Sequence, residues 1–145
     1  EVEKRLGSLS RRLSASVARV EPDITLAGDA KARQSTPTPR IVWEQTSWRE
    51  IDDGFYEARG ASWALLHYLT AVEIDFKDIL ADKNALISLQ QIISELESTQ
   101  KTLWSPMVLN GSGFGLMANH SLVMANYISR ANAALIELRS LLAQG

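Results

Sequence analysis

The sequence predicts an all-α fold, an antiparallel bundle of about four helices with a long irregular loop between the first and the second. Three observations carry this. Apolar residues recur every three or four positions in four stretches, as in helices with one buried face. Between Glu21 and Glu50 that period vanishes while Pro22, Gly28, Pro37 and Pro39 accumulate, which marks a loop. Residues of the AVILMFWYC set make up 46% of the chain, enough for an ordinary core in a chain that buries roughly two thirds of its unfolded surface. Residues 1–145 therefore read as a single helical-bundle domain.

In the first stretch Val2, Leu6, Leu9, Leu13, Val17 and Val20 form one narrow stripe, with Lys4, Arg5, Arg11, Arg12 and Arg19 on the wet face. The helical pattern already runs at Glu1 with no capping residue before it, as expected of a C-terminal piece of a longer chain. The loop over 21–51 is long for an unstructured segment of a compact domain. Ile41, Val42, Trp43 and Trp48 are expected to dock it on the bundle, with the tract around Gly28 to Thr38 mobile. Asp52 or Asp53 then caps a second helix running from Phe55 to about Leu80, because their side-chain oxygens accept otherwise orphaned N–H groups. Its apolar face uses Phe55, Trp63, Leu66, Leu69, Val72, Phe76 and Leu80.

Asn84 is placed to cap a third helix through Ile87, Ile92, Ile93, Leu96 and Leu103, stopped by Ser105-Pro106. The fourth follows Gly115 and runs to about Leu142, apolar on more than half its circumference and so expected at the centre. Gly60, Ala64 and Ala71 on the second helix, and Ala118, Ser121 or Leu122, Ala125, Ser129 and Ala133 on the fourth, form small-residue faces. Such faces let helix axes approach closely, so these two helices are expected to pack on each other.

Fifteen basic against seventeen acidic residues leave a formal charge of −2, which provides no field for holding a polyanion and argues against nucleic acid. The absence of cysteine excludes thiolate zinc sites, iron–sulfur clusters and thiol catalysis. No apolar run approaches the roughly 20 residues that span a bilayer. The two histidines, His67 and His120, occur without an HExxH or repeated Glu-x-x-His pattern, so no metal and no cofactor is expected.

Two features carry candidate chemistry. Gly111, Ser112, Gly113 and Gly115 precede a helix, where successive N–H groups can converge on an anion. No lysine follows them as in a P-loop, and a tight turn that tucks Phe114 into the bundle is the simpler reading. Glu57, Arg59, His67, Asn119, His120 and Asn126 lie on the second and fourth helices. They are expected either to satisfy one another or to line a polar pocket between those helices. Neither histidine has a visible nucleophile to activate.

At Phe55-Tyr56-Glu57-Ala58-Arg59-Gly60, Trp63-Ala64-Leu65-Leu66-His67, Leu103 through Gly115, and Ala118 through Ala134, the chain resembles the bacterial domain-of-unknown-function family 2333. The likeness extends to Gln144-Gly145 and to Leu6 through Ser10 and Leu13 through Val17 in the first helix. The resemblance implies a longer protein with one N-terminal membrane-spanning helix after a basic stretch. By the positive-inside rule that would put the soluble part in the periplasm, anchored to the bacterial inner membrane. It brings no activity, substrate or site residue. The expected role is a non-enzymatic envelope protein acting on a protein partner or by self-association, touching the membrane only through an anchor absent from this chain. The alternative is a ligand-binding or hydrolytic domain using the polar pocket.

Overall fold

The computed structural model describes residues 1–17, 19–22, 41–105, 107–111 and 116–144. The element order is α1 (Val2–Ser14), β1 (Arg19–Pro22), β2 (Ile41–Glu44), α2 (Ile51–Asp75), α3 (Lys77–Asp82), α4 (Leu86–Ser98) and α5 (His120–Ala143). The helices pack into an all-α bundle, and β1 and β2 pair antiparallel as a short ribbon beside it, Arg19 opposite Glu44 and Pro22 opposite Ile41.

Helix α1 buries Leu6, Leu9 and Leu13 as the stripe requires, but it stops at Ser14 instead of reaching Val20. Ser14 turns its hydroxyl back onto the Ser10 carbonyl, a local bond that competes with helix continuation. The Thr46 amide takes the Ala15 carbonyl at 2.9 Å. The β-branched Val20 beyond is better suited to an extended strand, and it pairs with Trp43 in the ribbon. The ends of the expected loop are thus ordered strands, while the tract from Gly28 to Thr38 lies outside the described residues. Trp48 does not dock anything; it is 77% exposed.

Helix α2 begins after Glu50 with no side-chain cap, and Asp52 and Asp53 fall inside its first turn. There they favour the positive helix end without closing it. The expected single helix to Leu80 is broken at Phe76, after which the short α3 carries Leu80 into the core. Buried Phe55, Ala58, Ser62 and Leu69 set the inner face of α2. Trp63 lies about 100° round from Ser62 and is 56% exposed, as is half of Phe76. Asn84 adopts a left-handed conformation, φ 51°, rather than capping α4, a geometry asparagine tolerates better than most residues. Thr99 closes α4 well before Leu103, its amide and hydroxyl both on the Leu96 carbonyl.

Helix α5 is the centre of the bundle. It packs chiefly on α1 and α4 and much less on α2. Met124, Ala125 and Ile128 share one core cluster with Leu6, Leu9, Leu13, Phe55 and Ala58. Ala131, Ala134 and Leu138 join a second with Leu80, Leu89, Ile92 and Leu96. The expected pairing of the Gly60, Ala64 and Ala71 face with α5 is overturned: all three are exposed. The positions where α2 does close on the core are Ala58 and Ser62, one helical turn apart.

Candidate functional site

The segment before α5 is built around two asparagines. Asn119 is the N-cap, its Oδ1 accepting from the Leu122 amide at 2.9 Å while its Nδ2 donates to the Gly111 carbonyl at 2.6 Å. Asn110 Oδ1 accepts from the Ser121 amide at 3.1 Å, and the His120 amide donates to the Leu109 carbonyl at 2.8 Å. Asn119 is therefore a buried capping residue at the helix start. Of the candidate anion turn, Ser112, Gly113 and Gly115 lie outside the described residues. At Gly111 a Cβ would run into the Met117 carbonyl.

The six residues considered for one polar pocket fall into separate surroundings. Glu57 and Arg12 form a bidentate ion pair between α2 and α1. The guanidinium's hydrogen bond holds the Glu57 carboxyl below the usual carboxylate range, and the same bond raises Arg12 further. Arg59 donates to the carbonyls of Gln100 and Lys101. His67 is exposed against Trp63, ring centroids 4.5 Å apart, edge to face. His120 borders a small apolar cavity of about 220 Å³ with Phe55, Leu103, Met124 and Tyr127. Asn126 lies in a shallow groove beside Tyr127 and Arg130. The described hydrogen bonds join neither imidazole to a hydroxyl or carboxylate. Nor do the described residues contain a group of three or more His, Asp or Glu side chains arranged to hold a metal ion.

What the structure does assemble is a polar cleft of about 470 Å³ between the C-terminal end of α1, the segment from Gln45 to Ser47 and the start of α2. Arg12, Ser16, Thr46, Glu50, Asp53 and Ser121 line it. Ser121 is 1% exposed, and its hydroxyl has no hydrogen-bond partner among the described residues. In the sequence Arg12 is a wet-face cation and Ser121 a small helix residue; only the fold brings them to one cleft.

The second feature is the outer face of α2. Tyr56, Trp63, Tyr68 and Ile74 are 54%, 56%, 66% and 73% exposed, and Gly60, Ala64, His67 and Ala71 beside them are exposed too. At helical spacing these eight residues lie along one side of the helix, on an arc that the exposed carboxylates Asp53, Glu57 and Asp75 share. Of the apolar face expected for the second helix, Phe55, Leu69 and Leu80 are buried, and Trp63 and Phe76 are the two that turn to water.

A family model described as "Uncharacterized protein conserved in bacteria (DUF2333)" matches residues 1–145. Neither the curated proteins nor the solved structures contain a match.

Proposed function

Since the chain belongs to the uncharacterised bacterial family DUF2333, we propose that it is a non-enzymatic helical module of the bacterial envelope that acts by protein contact, with the outer face of α2 as its docking surface. The observation that carries this reading is the run of half-exposed aromatic and aliphatic side chains from Tyr56 to Ile74. The largest apolar patch on a monomer is often functional, and these four large side chains stand on one face of one helix. No described helix is long and apolar enough to cross a membrane. Tethering to the inner membrane, with this region in the periplasm, belongs to the same proposal and rests on the family's apparent N-terminal anchor.

The test is photo-crosslinking in cells, with the reactive group placed in the full chain at residues 56, 63 or 74 and, as control, at 137, which is exposed on α5. Adducts from the three α2 positions and none from 137 are expected. Equal labelling at all four, or none anywhere, rejects α2 as the docking face.

A second reading, capture of a small polar molecule in the cleft, is favoured by the Ser121 hydroxyl, which has no partner among the described residues. A panel of amino acids, sugars and inorganic phosphate should then contain a compound that raises the melting temperature, and Ser121→Ala should abolish that rise.

A further inference from the structure

We infer that the cavity between α2, the segment leaving α4 and the start of α5 is a binding site for a small organic anion: a carboxylate borne on an apolar body about the size of one aromatic ring. The site shares no residue with the polar cleft. Nor does it depend on the docking role of the α2 face.

Three pieces of the chain give the cavity an apolar floor. Phe55 comes from early in α2 and Met124 from early in α5, 2% and 3% exposed. Leu103, half-buried, comes from the segment that follows α4. The volume of about 220 Å³ exceeds the ~150 Å³ in which an apolar cavity takes up a benzene ring. A ring entering it buries its own surface and displaces water that the hydrocarbon floor cannot hydrogen-bond.

The mouth is basic. Lys101 and His120 line the cavity, and among the described residues no carboxylate does; Glu97, the nearest acid in the same segment, is not part of the lining. Two cations flank the Tyr127 ring, which forms one wall: Lys101 Nζ at 5.6 Å and Arg130 Cζ at 5.2 Å from its centroid. Arg130 is already paired with Glu95 at 2.7 Å, whereas Lys101 enters no ion pair among the described residues. The ring face attracts the Lys101 ammonium to the cavity edge without neutralising it. An anion at the mouth therefore meets an unspent charge, and the Thr102 hydroxyl and the His120 imidazole are further donors in the lining.

Both basic residues stand on a fixed main chain. The Lys101 carbonyl takes a bond from Arg59 at 3.0 Å, and the His120 amide donates to the Leu109 carbonyl at 2.8 Å. Only side chains need settle when the site fills, which keeps the ordering cost low. A floor that favours hydrocarbon beneath a mouth that favours negative charge selects a molecule with both ends, and neither half alone should bind well.

The probe is phenylacetate, titrated into the nitrogen-15-labelled chain and followed by amide chemical shifts, with phenylacetamide as its uncharged counterpart and acetate as the head without the ring. Phenylacetate should bind with a dissociation constant of about 1 mM or tighter and shift the amides of Leu103, His120, Val123 and Tyr127 most. Phenylacetamide should bind about fivefold more weakly for want of the charge, and acetate about tenfold or more for want of the buried ring. Lys101→Met, at an exposed position, should weaken phenylacetate about fivefold and leave phenylacetamide unchanged, while Lys101→Arg restores the anion's affinity. Equal affinity for phenylacetate and phenylacetamide, or an unaltered constant in Lys101→Met, overturns the anion site. Shifts gathered instead around Thr46, Glu50 and Ser121 place the probe in the polar cleft and also overturn it. So does the absence of any saturable shift at about 20 mM, far above the expected constant.

Discussion

Arg59 and Gln100 hold each other's main chain: the Arg59 guanidinium donates to the Gln100 carbonyl at 2.8 Å, and the Gln100 side-chain amide returns a bond to the Arg59 carbonyl at 3.1 Å. A second guanidinium nitrogen takes the Lys101 carbonyl at 3.0 Å. The middle of α2 is thereby fastened to the segment leaving α4. Arg59→Ala should lower stability in urea unfolding by about 1–2 kcal/mol, since hydrogen bonds to charged groups contribute more than neutral ones but these are partly exposed. Arg59→Lys should recover little, because one ammonium cannot reproduce the planar fork that reaches two carbonyls.

Asn119 closes the start of α5 and ties down Gly111. Asn119→Ala should cost about 1–2 kcal/mol, the usual loss of a side-chain N-cap with a further bond attached. Asn119→Asp keeps the acceptor for the Leu122 amide and loses the donor to Gly111, so its melting temperature should fall between the wild type and the alanine variant.

Two buried residues should respond with opposite sign. Ile128 is fully buried among Leu9, Phe55 and Met124, and Ile128→Ala should cost roughly 2–5 kcal/mol through lost burial and the cavity left behind. Ser62 is equally buried, but its hydroxyl has no partner among the described residues. Removing an unsatisfied polar group from a core is neutral or favourable, and alanine is the better helix former. Ser62→Ala should leave stability unchanged or raise it by about 1 kcal/mol in the same urea series.

The Arg12 bond lowers the Glu57 carboxyl in the folded chain. A depressed folded-state value means that the contribution is present above the unfolded carboxylate range and is lost as pH falls through the folded one. The pair is about half exposed, so the effect is small, at most about 1 kcal/mol. Glu57→Gln should cost no more than that at neutral pH, and unfolding curves of variant and wild type should converge in acid.

The helical class is legible because Leu6, Leu9 and Leu13 of α1 and Met124, Ile128 and Leu138 of α5 keep a helical period and are buried. The failures have local causes. Val20 was counted into α1 by spacing, although a β-branched residue serves a ribbon as well, and nothing in the chain's period announces a strand partner some twenty residues on. The spacing places Phe55, Leu69 and Leu80 in the core, and they are buried there. Trp63 lies about 120° round the helix from Leu69 and so turns to water, its size notwithstanding. The six-residue pocket failed for a different reason: shared helices do not imply shared faces, and α5 turns toward α1 and α4.

The central place of α5 also governs how the chain is made. Ser10 donates to the carbonyl of Ala125 across 115 positions of sequence, and both core clusters draw on α5. During synthesis α1, the ribbon, α2 and α4 all emerge before the helix that unites them. The nascent chain must therefore carry its leucine stripes uncovered until α5 clears the ribosome, and closure by such remote contacts is slow. A stop codon before Ile128 would leave the Leu6, Leu9 and Leu13 face of α1 and the Leu89, Ile92 and Leu96 face of α4 without the helix that covers both.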